Sequence, residues 1–481
     1  MSNGESTSAK KPKRPRRRWL QYSLRAILLL MLVVAVSAWW FSVELGKARR
    51  EEQAIAALQD EATYGLSIGY AHQRNEDGAY NPSVTADNYG TFREWLGDAF
   101  FDEPRAVNFS GEAFSDDAAL RLRDLPTLEV LSISTMREPV SLEAAQSIAA
   151  LSHLTRLEIM TSRWEFSSES LAALAPLPEL ENFVRVGVGS YTASDVEQFV
   201  VGKSKLRWLQ FSGCEFQPGA AAALAQLPSL QVLNLSSSQL TFADMEAFAE
   251  SSLMQLNLTR TGIRDEDLKY VAAVPSLKSL LFRNDPITDE GLRELSALEN
   301  LQTLILQNSK VTGVGFDSFS DSKSLQEVGL SDSQLSAEGF VALGGVSTLE
   351  KLTLKNVEIS TAALTSLQKL PKLRELQLTG TALSDDDLTI LSEFPSLESL
   401  DLAGTQLLTD GCVAHLVSLK LTSLDLPKTV TAAIVPDLLR MTSLEQLRLP
   451  RGFSAQATSA VKAGLPNCLV VGGTPTRPPK R

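Results

Sequence analysis

The chain has 481 residues, a formal net charge of −12 at pH 7 and three cysteines. The charge is divided unevenly, because residues 1–50 carry a balance of +9 and the remaining residues one of −21. An acidic main body repels phosphate backbones, which argues against nucleic acid as its ligand. Three cysteines (Cys214, Cys412 and Cys468) are too few for a disulfide framework.

An uncharged apolar run extends from Ala26 to Val43, behind a basic leader. Its 18 residues would form about 27 Å of helix, close to the hydrocarbon thickness of a bilayer. Eight basic residues precede the run, and the three that follow it are mixed with acidic ones. This bias predicts a basic cytoplasmic tail over residues 1–25, a transmembrane helix over 26–43 and export of everything downstream.

Two alternative interpretations of this segment stay open. Val36-Ser37-Ala38 fits a small-residue cleavage site after an 11-residue apolar region, and cleavage near Ala38 would release a secreted protein. Arg16-Arg17-Arg18-Trp19-Leu20 loosely resembles a twin-arginine export signal. Both alternatives still export the rest of the chain.

The next segment, residues 44–94, is predicted to be a juxtamembrane helical stalk followed by an irregular linker. Residues 44–62 are strong helix formers that would extend the anchor. Residues 63–94 are polar, rich in Gly, Asn and Tyr, and show no clear period.

From residue 95 to 471 an apolar pattern recurs about every 24 residues. Leu230-x-x-Leu233-x-Leu235 and Leu397-x-x-Leu400-x-Leu402 show it in its full form. A fixed period of this length carrying L-x-x-L-x-L is the signature of a leucine-rich repeat solenoid. The first position of the frame falls at residues 104, 128, 154, 180, 206, 230, 253, 277, 301, 325, 349, 373, 397, 421, 444 and 468.

Each repeat is predicted to contain a strand, a turn and a short helix. In the strand, alternation puts Leu400 and Leu402 inward and Ser399 and Asp401 outward. A small polar residue at the turn would bond exposed backbone groups, and acidic residues would then cap the helix. Because stacked copies bury one continuous core, we predict an α/β horseshoe of about 15–16 repeats.

The repeat spacing L-x-x-L-x-L-x-x-[TS]-x-[ILV]-[TS]-D-x-x-L-x-x-L resembles that of membrane-anchored bacterial leucine-rich repeat proteins. It is similar, more distantly, to ribonuclease-inhibitor-like solenoids. The resemblance covers about residues 95–471 and implies a right-handed horseshoe. It implies no particular activity, because members of that family mostly lack an assigned one. The remaining tail, residues 472–481, is predicted to be disordered.

Candidate chemistry in this sequence is weak. Gly65-Leu66-Ser67-Ile68-Gly69 fits the nucleophile elbow of α/β-hydrolases, so a hydrolase using Ser67 is a remote alternative. Acidic clusters such as Asp265-Glu266-Asp267 and Asp385-Asp386-Asp387 lack the alternating spacing of a calcium loop and are interpreted as helix caps. No cofactor motif, metal-ligand set or catalytic group is predicted.

The concave face of a horseshoe is the default binding surface. We therefore predict a non-enzymatic protein whose solenoid binds a protein or a cell-envelope component. A structural envelope or scaffold protein without a discrete ligand is the alternative. The predicted contact residues are Trp208, Gln210, Asn234, Asn257, Arg283, Gln307, Lys355, Gln377 and Asp401, among which Trp208 is the expected anchor because aromatic residues dominate interface hot spots.

Overall fold

The structure is a computed structural model that describes residues 24–61, 65–74, 102–111, 113–135, 139–161 and 164–473. The predicted basic tail up to residue 23, residues 75–94 of the predicted linker and residues 474–481 of the predicted C-terminal tail lie outside this range.

The strands are short, and all but three of them follow the leucine frame. They are β1 Leu66–Tyr70, β2 Pro104–Gly111, β3 Val130–Thr135, β4 Arg156–Thr161, β5 Asn182–Gly187, β6 Ser190–Tyr191, β7 Trp208–Ser212, β8 Glu215–Phe216, β9 Val232–Asn234, β10 Gln255–Asn257, β11 Ser279–Arg283, β12 Thr303–Gln307, β13 Glu327–Ser331, β14 Lys351–Lys355, β15 Glu375–Gln377, β16 Ser399–Asp401, β17 Ser423–Asp425, β18 Gln446–Leu449 and β19 Leu469–Gly472. Strands β6 and β8 lie outside this frame and form a small separate pair.

One long helix precedes the repeats, and short helices follow the strands. The α-helices are α1 Leu24–Glu61, α2 Asp116–Arg121, α3 Leu142–Ile148, α4 Ser168–Ala173, α5 Ala193–Val200, α6 Ala220–Ala223, α7 Asp265–Ala272, α8 Asp289–Leu295, α9 Ala337–Gly344, α10 Thr361–Leu367, α11 Gly411–Leu416, α12 Val435–Leu438 and α13 Ala455–Gly464. The 3₁₀ segments are Ala71–Gln73, Leu122–Asp124, Leu224–Gln226, Phe242–Phe248, Val314–Phe319, Asp386–Glu393 and Ala432–Ile434.

Seventeen strands form a single sheet, in which β1 is antiparallel to β2 and the other pairings are parallel. The register advances by one repeat per strand, as in Leu304↔Val328↔Leu352↔Leu376. Neighbouring strands lie about 4.8 Å apart, whereas packed helices need 8–10 Å. The sheet is therefore the inner, concave layer, and the predicted leucine-rich repeat solenoid is confirmed.

The core is a continuous column of leucines between the sheet and the helices. Leu352 and Leu354 are fully buried, as are the equivalent Leu304 and Leu306 one repeat earlier. The predicted alternation is therefore correct, because the intervening Thr353 remains partly exposed on the other face.

Most strands leave the sheet through a turn that includes a residue in the left-handed region. Asn284, Asn308 and Asn356 have φ values of 57°, 50° and 53°, a conformation that asparagine tolerates better than most residues. Asp285 is buried beside the first of these turns and accepts hydrogen bonds from the backbone N–H groups of residues 260–262. The predicted satisfaction of turn backbone groups by a small polar side chain is confirmed at this position.

The helix-start carboxylates do more than cap their own helices, which is a correction to the sequence interpretation. Asp289 accepts hydrogen bonds from the Thr312 hydroxyl at 2.6 Å and from the Thr312 and Gly313 N–H groups at 3.0 and 2.9 Å, all in the following repeat. Asp265 makes the same bridge to Thr288. In the two clusters of three acids, the third one caps its own helix: Asp267 accepts from the Arg264 N–H, and Asp387 accepts from the Ser384 N–H. The acidic pattern therefore ties successive repeats together.

The opposite edge, where strands begin, carries a second ladder. The Ser276 hydroxyl donates to the Leu253 carbonyl oxygen at 2.7 Å, and the Ser324 hydroxyl donates to the Glu299 carbonyl oxygen at 2.6 Å. Thr348, one repeat further on, bonds Leu325 in the same way. These bonds pair carbonyl groups in the turns that lead from each helix into the next strand.

Helix α1 and strand β1 close the N-terminal end of the solenoid. Ala48, Glu51, Ala54, Ile55 and Leu58 recur every three to four residues and are buried, so one face of the helix packs on α2 and on the 3₁₀ segment behind it. Residues 44–61 of the predicted stalk are helical, and one face of this helix docks on the first repeat. Residues 66–70, in the predicted irregular linker, form a strand instead. Docking covers apolar surface and an edge strand that the first repeat would otherwise expose.

Candidate binding face

The concave face presents three parallel columns of outward side chains. The sheet register aligns Trp208, Glu327 and Lys351 in the first column and Asn234, Ile305 and Gln377 in the second. The third column, at the ends of the longer strands, includes Arg283, Gln307 and Lys355. Because the columns are fixed by backbone hydrogen bonds, the side chains form a rigid array.

The nine residues predicted from the sequence all lie on this face, but they do not form one site. Trp208 is in the first column. Gln210, Asn234, Asn257, Gln377 and Asp401 are in the second, and Arg283, Gln307 and Lys355 are in the third. Arg283 and Lys355 are exposed, whereas the other seven are half-buried. They extend from β7 to β16, so they mark a surface rather than a compact pocket.

Three of these polar residues are already engaged with the backbone. Asn234 Oδ1 accepts from the Ser236 N–H at 2.9 Å, and Asn257 Oδ1 accepts from the Thr259 N–H at 3.0 Å. Asp401 Oδ1 accepts from the Ala403 N–H at 2.7 Å. In each case the side chain bonds the backbone two residues on, an Asx turn. Each of these residues is the last of its strand, so this local bond gives them a structural role.

A charged row that the sequence analysis missed crosses the middle of the face. Lys351 Nζ lies 3.1 Å from Glu327 Oε1 and 3.6 Å from Glu375 Oε1, on the two neighbouring strands. Although burial alone would lower it, the two carboxylates raise the pKa of Lys351 above its ordinary value. Gln377 extends the row by donating to Glu375 at 2.8 Å. The repeat register could have revealed this row, because the three charges fall at equivalent positions 24 residues apart.

Beside the charged row lie two partly exposed aliphatic side chains, Leu281 and Ile305, which we call the apolar step. The sequence analysis missed them as well. Leu281 and Ile305 occupy neighbouring second-column positions and are only partly buried. Gly329 follows them, and a Cβ atom there would lie 2.7 Å from Ile305 Cδ1. The absence of a side chain at Gly329 therefore lets Ile305 lean across it, and the step remains open to solvent.

Toward the C-terminal end the face becomes acidic. Asp401 and Asp425 are second-column neighbours. Partial burial, and then the charge of Asp401, raise the pKa of Asp425 above its ordinary value, while Arg448 opposes this from 3.4 Å. The face thus changes from apolar around Ile305 to charged around Lys351 and acidic around Asp425.

Two buried cations are structural and lie away from this surface. Arg185 replaces a core aliphatic residue in β5 and donates to the carbonyl oxygen of Val188 at 2.6 Å. Lys203 donates to the carbonyl oxygens of Leu174 and Ala175 at 2.9 Å, just beyond the end of α4. Burial lowers the pKa of Lys203 to about 8. Both side chains satisfy carbonyl groups at the ends of secondary structure.

The hydrolase alternative finds no support at Ser67. This serine lies inside β1 and pairs with Asn108, rather than on a strand-to-helix turn. His72 bonds Asp102, with Nδ1 and Oδ1 2.8 Å apart. An extended strand puts Ser67 roughly 10 Å from Tyr70, and His72 lies beyond that point. Across the ranges that the structure covers, no cluster of His, Cys, Asp or Glu side chains is arranged to hold a metal ion.

Comparison with known proteins agrees with the repeat pattern. A family model described as "FBD-associated F-box protein At5g56370, LRR repeats" matches residues 318–464, less than half of the chain. A search of curated proteins gives no match. The matched residues lie within the array of repeats whose parallel sheet and repeating register define a leucine-rich repeat solenoid.

Solved structures with a similar course of the chain include an internalin from Listeria monocytogenes, at 19% identity and a TM-score of 0.41, covering 63% of this chain and 82% of that one. A leucine-rich repeat protein from Leptospira interrogans has 15% identity and a TM-score of 0.39, covering 76% and 88%. The ectodomain of a plant membrane receptor kinase from Arabidopsis thaliana, solved with CASPARIAN STRIP INTEGRITY FACTOR 2, has 17% identity and a TM-score of 0.40, covering 83% and 52%. Similarity at this level carries no inference about function.

Proposed function

We propose that this chain is a membrane-anchored, non-enzymatic bacterial protein whose exported solenoid binds a protein or a cell-envelope component on its concave face. The observation that carries the binding function is the open apolar step of Leu281 and Ile305 beside the charged row of Lys351. Partly exposed aliphatic side chains on a rigid sheet gain free energy when a partner covers them. The charges beside them supply orientation and specificity.

The N-terminal part of α1 supports the anchor. Its apolar residues are exposed, including Leu30 at 64% and Trp39 at 68%. The helix contains an 18-residue window with a mean hydropathy of 2.1, none of it buried within the protein. Water would strongly disfavour such a surface, whereas a bilayer would cover it. The basic residues ahead of it orient the N-terminus toward the cytoplasm.

Two measurements test the anchor. Protease added to intact spheroplasts should cleave the solenoid, and full protection would refute export. The N-terminal sequence of the mature protein decides between an uncleaved anchor and a signal peptide cleaved near Ala38. We expect the sequence to begin upstream of residue 26.

Photo-crosslinking tests the binding face. A photoreactive side chain at Ile305, on the concave face, should give a discrete crosslinked species in the native host. The matched control carries the same group at Glu290, which is exposed at the start of α8 on the convex side. Crosslinks at Glu290 alone would overturn the concave assignment. The absence of crosslinks at both positions would favour the scaffold alternative.

A further inference from the structure

Helix α1 crosses the whole depth of the solenoid. Lys47 Nζ lies 3.6 Å from Glu103 Oε1, and Glu103 directly precedes β2. At the other end, the helix ends at Glu61, and four residues later the Gly65 carbonyl oxygen accepts from the Ser110 N–H at 2.7 Å, near the end of β2. The helix rises about 21 Å between residues 47 and 61. This matches the roughly 20 Å that β2 spans from residue 104 to 110.

The solenoid has one edge where the strands begin and one edge where they end. We call the turns before the strands the descending edge and the turns after the strands the ascending edge. The apolar run of α1 ends at Val43, four residues before Lys47 reaches the descending edge. At 1.5 Å per residue these four residues span about 6 Å. Since α1 is one unbroken helix, the apolar segment projects from the descending edge.

We propose that the solenoid lies with its descending edge on the membrane surface, in contact with the phospholipid headgroups. This inference rests on the proposed anchoring of α1. The docked face of the helix fixes the angle of the solenoid, and the short distance to the apolar run places the edge at headgroup height. The strands then run away from the bilayer, and the stack of repeats extends along it.

The distribution of charge fits this orientation. The ascending edge holds the helix starts, which carry acidic side chains in most repeats: Asp116, Glu143, Asp195, Asp244, Glu266, Glu290, Asp317, Glu338 and Asp386. Anionic lipid repels such an edge. In the proposed orientation, the whole depth of the solenoid separates the acidic ascending edge from the membrane surface.

The descending edge carries exposed charges of both signs, such as Glu299 and Glu350 beside Lys278 and Lys372. The hydroxyl ladder of Ser276 and Ser324 leaves carbonyl groups paired there. One turn presents Val201, which is 67% exposed, together with the exposed Arg207 and with Lys205, which forms an ion pair with Glu179 of the preceding repeat. An apolar side chain flanked by cations suits the interface between headgroups and acyl chains. This turn lies only a few repeats from α1, within reach of the same leaflet.

This orientation determines how a partner reaches the concave face. Every repeat lies at about the same height above the bilayer, so the concave face stands upright on the membrane. A partner would approach it along the membrane plane. Membrane-attached or surface-associated partners are therefore favoured over partners that arrive from the bulk.

Fluorescence quenching by the lipid surface tests this orientation. The full chain is reconstituted into phospholipid vesicles that carry a headgroup-attached nitroxide, a quencher that acts only at short range, with Cys468→Ser as background because Cys214 and Cys412 are buried. Fluorescent dyes are placed on Ser252→Cys and Lys372→Cys at the descending edge. Within the same two repeats, Glu266→Cys and Asp386→Cys provide matched sites at the ascending edge; all four positions are exposed.

The expected result is loss of most dye emission at Ser252→Cys and Lys372→Cys, and retention of most of it at Glu266→Cys and Asp386→Cys. Quenching that is equal at the two edges of a repeat, and weaker at residue 372 than at residue 252, would show that the stack of repeats points away from the bilayer. That result would overturn the proposal. Stronger quenching at the ascending edge would overturn it as well. Chain that washes off the vesicles in alkali would overturn the anchor too, so the two failures are distinguishable.

Discussion

Glu51 should make the docking of α1 on the solenoid dependent on pH. Its side chain is buried in the helix–solenoid contact, and Oε1 has no hydrogen-bond partner among the residues that the structure covers. Burial raises the pKa of Glu51 to about 7. Lys47 and Arg50 oppose that rise, whereas Glu103 and Glu44 add to it. A Glu51→Gln substitution keeps the shape and removes the charge.

The free-energy difference follows from linkage. In undocked α1 the carboxyl group titrates near its ordinary value of 4.5. A pKa raised to about 7 by docking makes the docked state fully stable below pH 4.5 and weakens it progressively up to pH 7. The difference corresponds to about 3 kcal/mol. Above pH 7 the docked state keeps this lower stability.

Hydrogen exchange of residues 48–58 in the micelle-embedded full chain measures the effect. After correction for intrinsic rates, protection should fall between pH 4.5 and 7 in the wild type. Protection should stay constant with pH in Glu51→Gln. At pH 8 it should be higher in this variant than in the wild type. Glu52→Gln, on the exposed side of the same helix, should behave as wild type. If Glu51→Gln were less protected than wild type at pH 8, the attraction of Lys47 would outweigh burial and the reasoning would be wrong.

Three further predictions concern the solenoid. Leu352→Ala should cost about 2–5 kcal/mol, with faster hydrogen exchange concentrated in residues 325–378, because each repeat contacts only its neighbours. Asp289→Asn should cost about 1–3 kcal/mol in urea unfolding, because buried N–H donors lose an ionic acceptor. Hydrogen bonds from Thr312 and the following turn outweigh burial and lower the pKa of Asp289, so the wild type should lose this stability as pH falls below about 4. Cys214 and Cys412 should resist alkylation until unfolding, because burial raises the pKa of each thiol to about 12.

Each of these expectations has a contradicting result. Uniform destabilisation of all repeats by Leu352→Ala would exclude repeat-by-repeat packing. An Asp289→Asn variant as stable as Glu290→Gln, whose exposed carboxylate bridges no repeat in the structure, would show that the inter-repeat bridge contributes nothing. Rapid alkylation of Cys412 in the native protein would place it outside the core.

The repeat fold could be predicted from the sequence because its information is local and periodic. A strand whose alternate residues are leucine can bury them only against another layer, and a 24-residue period supplies that layer again and again. Leu352 and Leu354 therefore occupy the core as predicted. The turn position of Asp285 was also predictable, because a small polar side chain there serves the backbone of its own and the neighbouring repeat.

The candidate face was predictable only as a set of outward positions. The sequence places Trp208, Asn234 and Lys355 on the same side of the sheet. It does not indicate that Asn234 is held by the Ser236 N–H, because that bond depends on how the strand ends. The apolar step of Ile305 was missed for a similar reason: it depends on Gly329, a neighbour in space 24 residues away.

The N-terminal region shows most clearly what tertiary structure alone decided. The sequence by itself determined that an apolar helix continues into residues with high helix propensity, since both are local properties. Whether that extension stands free or docks depends on a complementary surface on the first repeat, which no local pattern encodes. The burial of Glu51 beside Lys47, and the direction in which α1 leaves the solenoid, follow from that contact. They belong to the packing of distant segments, and only the tertiary structure could decide them.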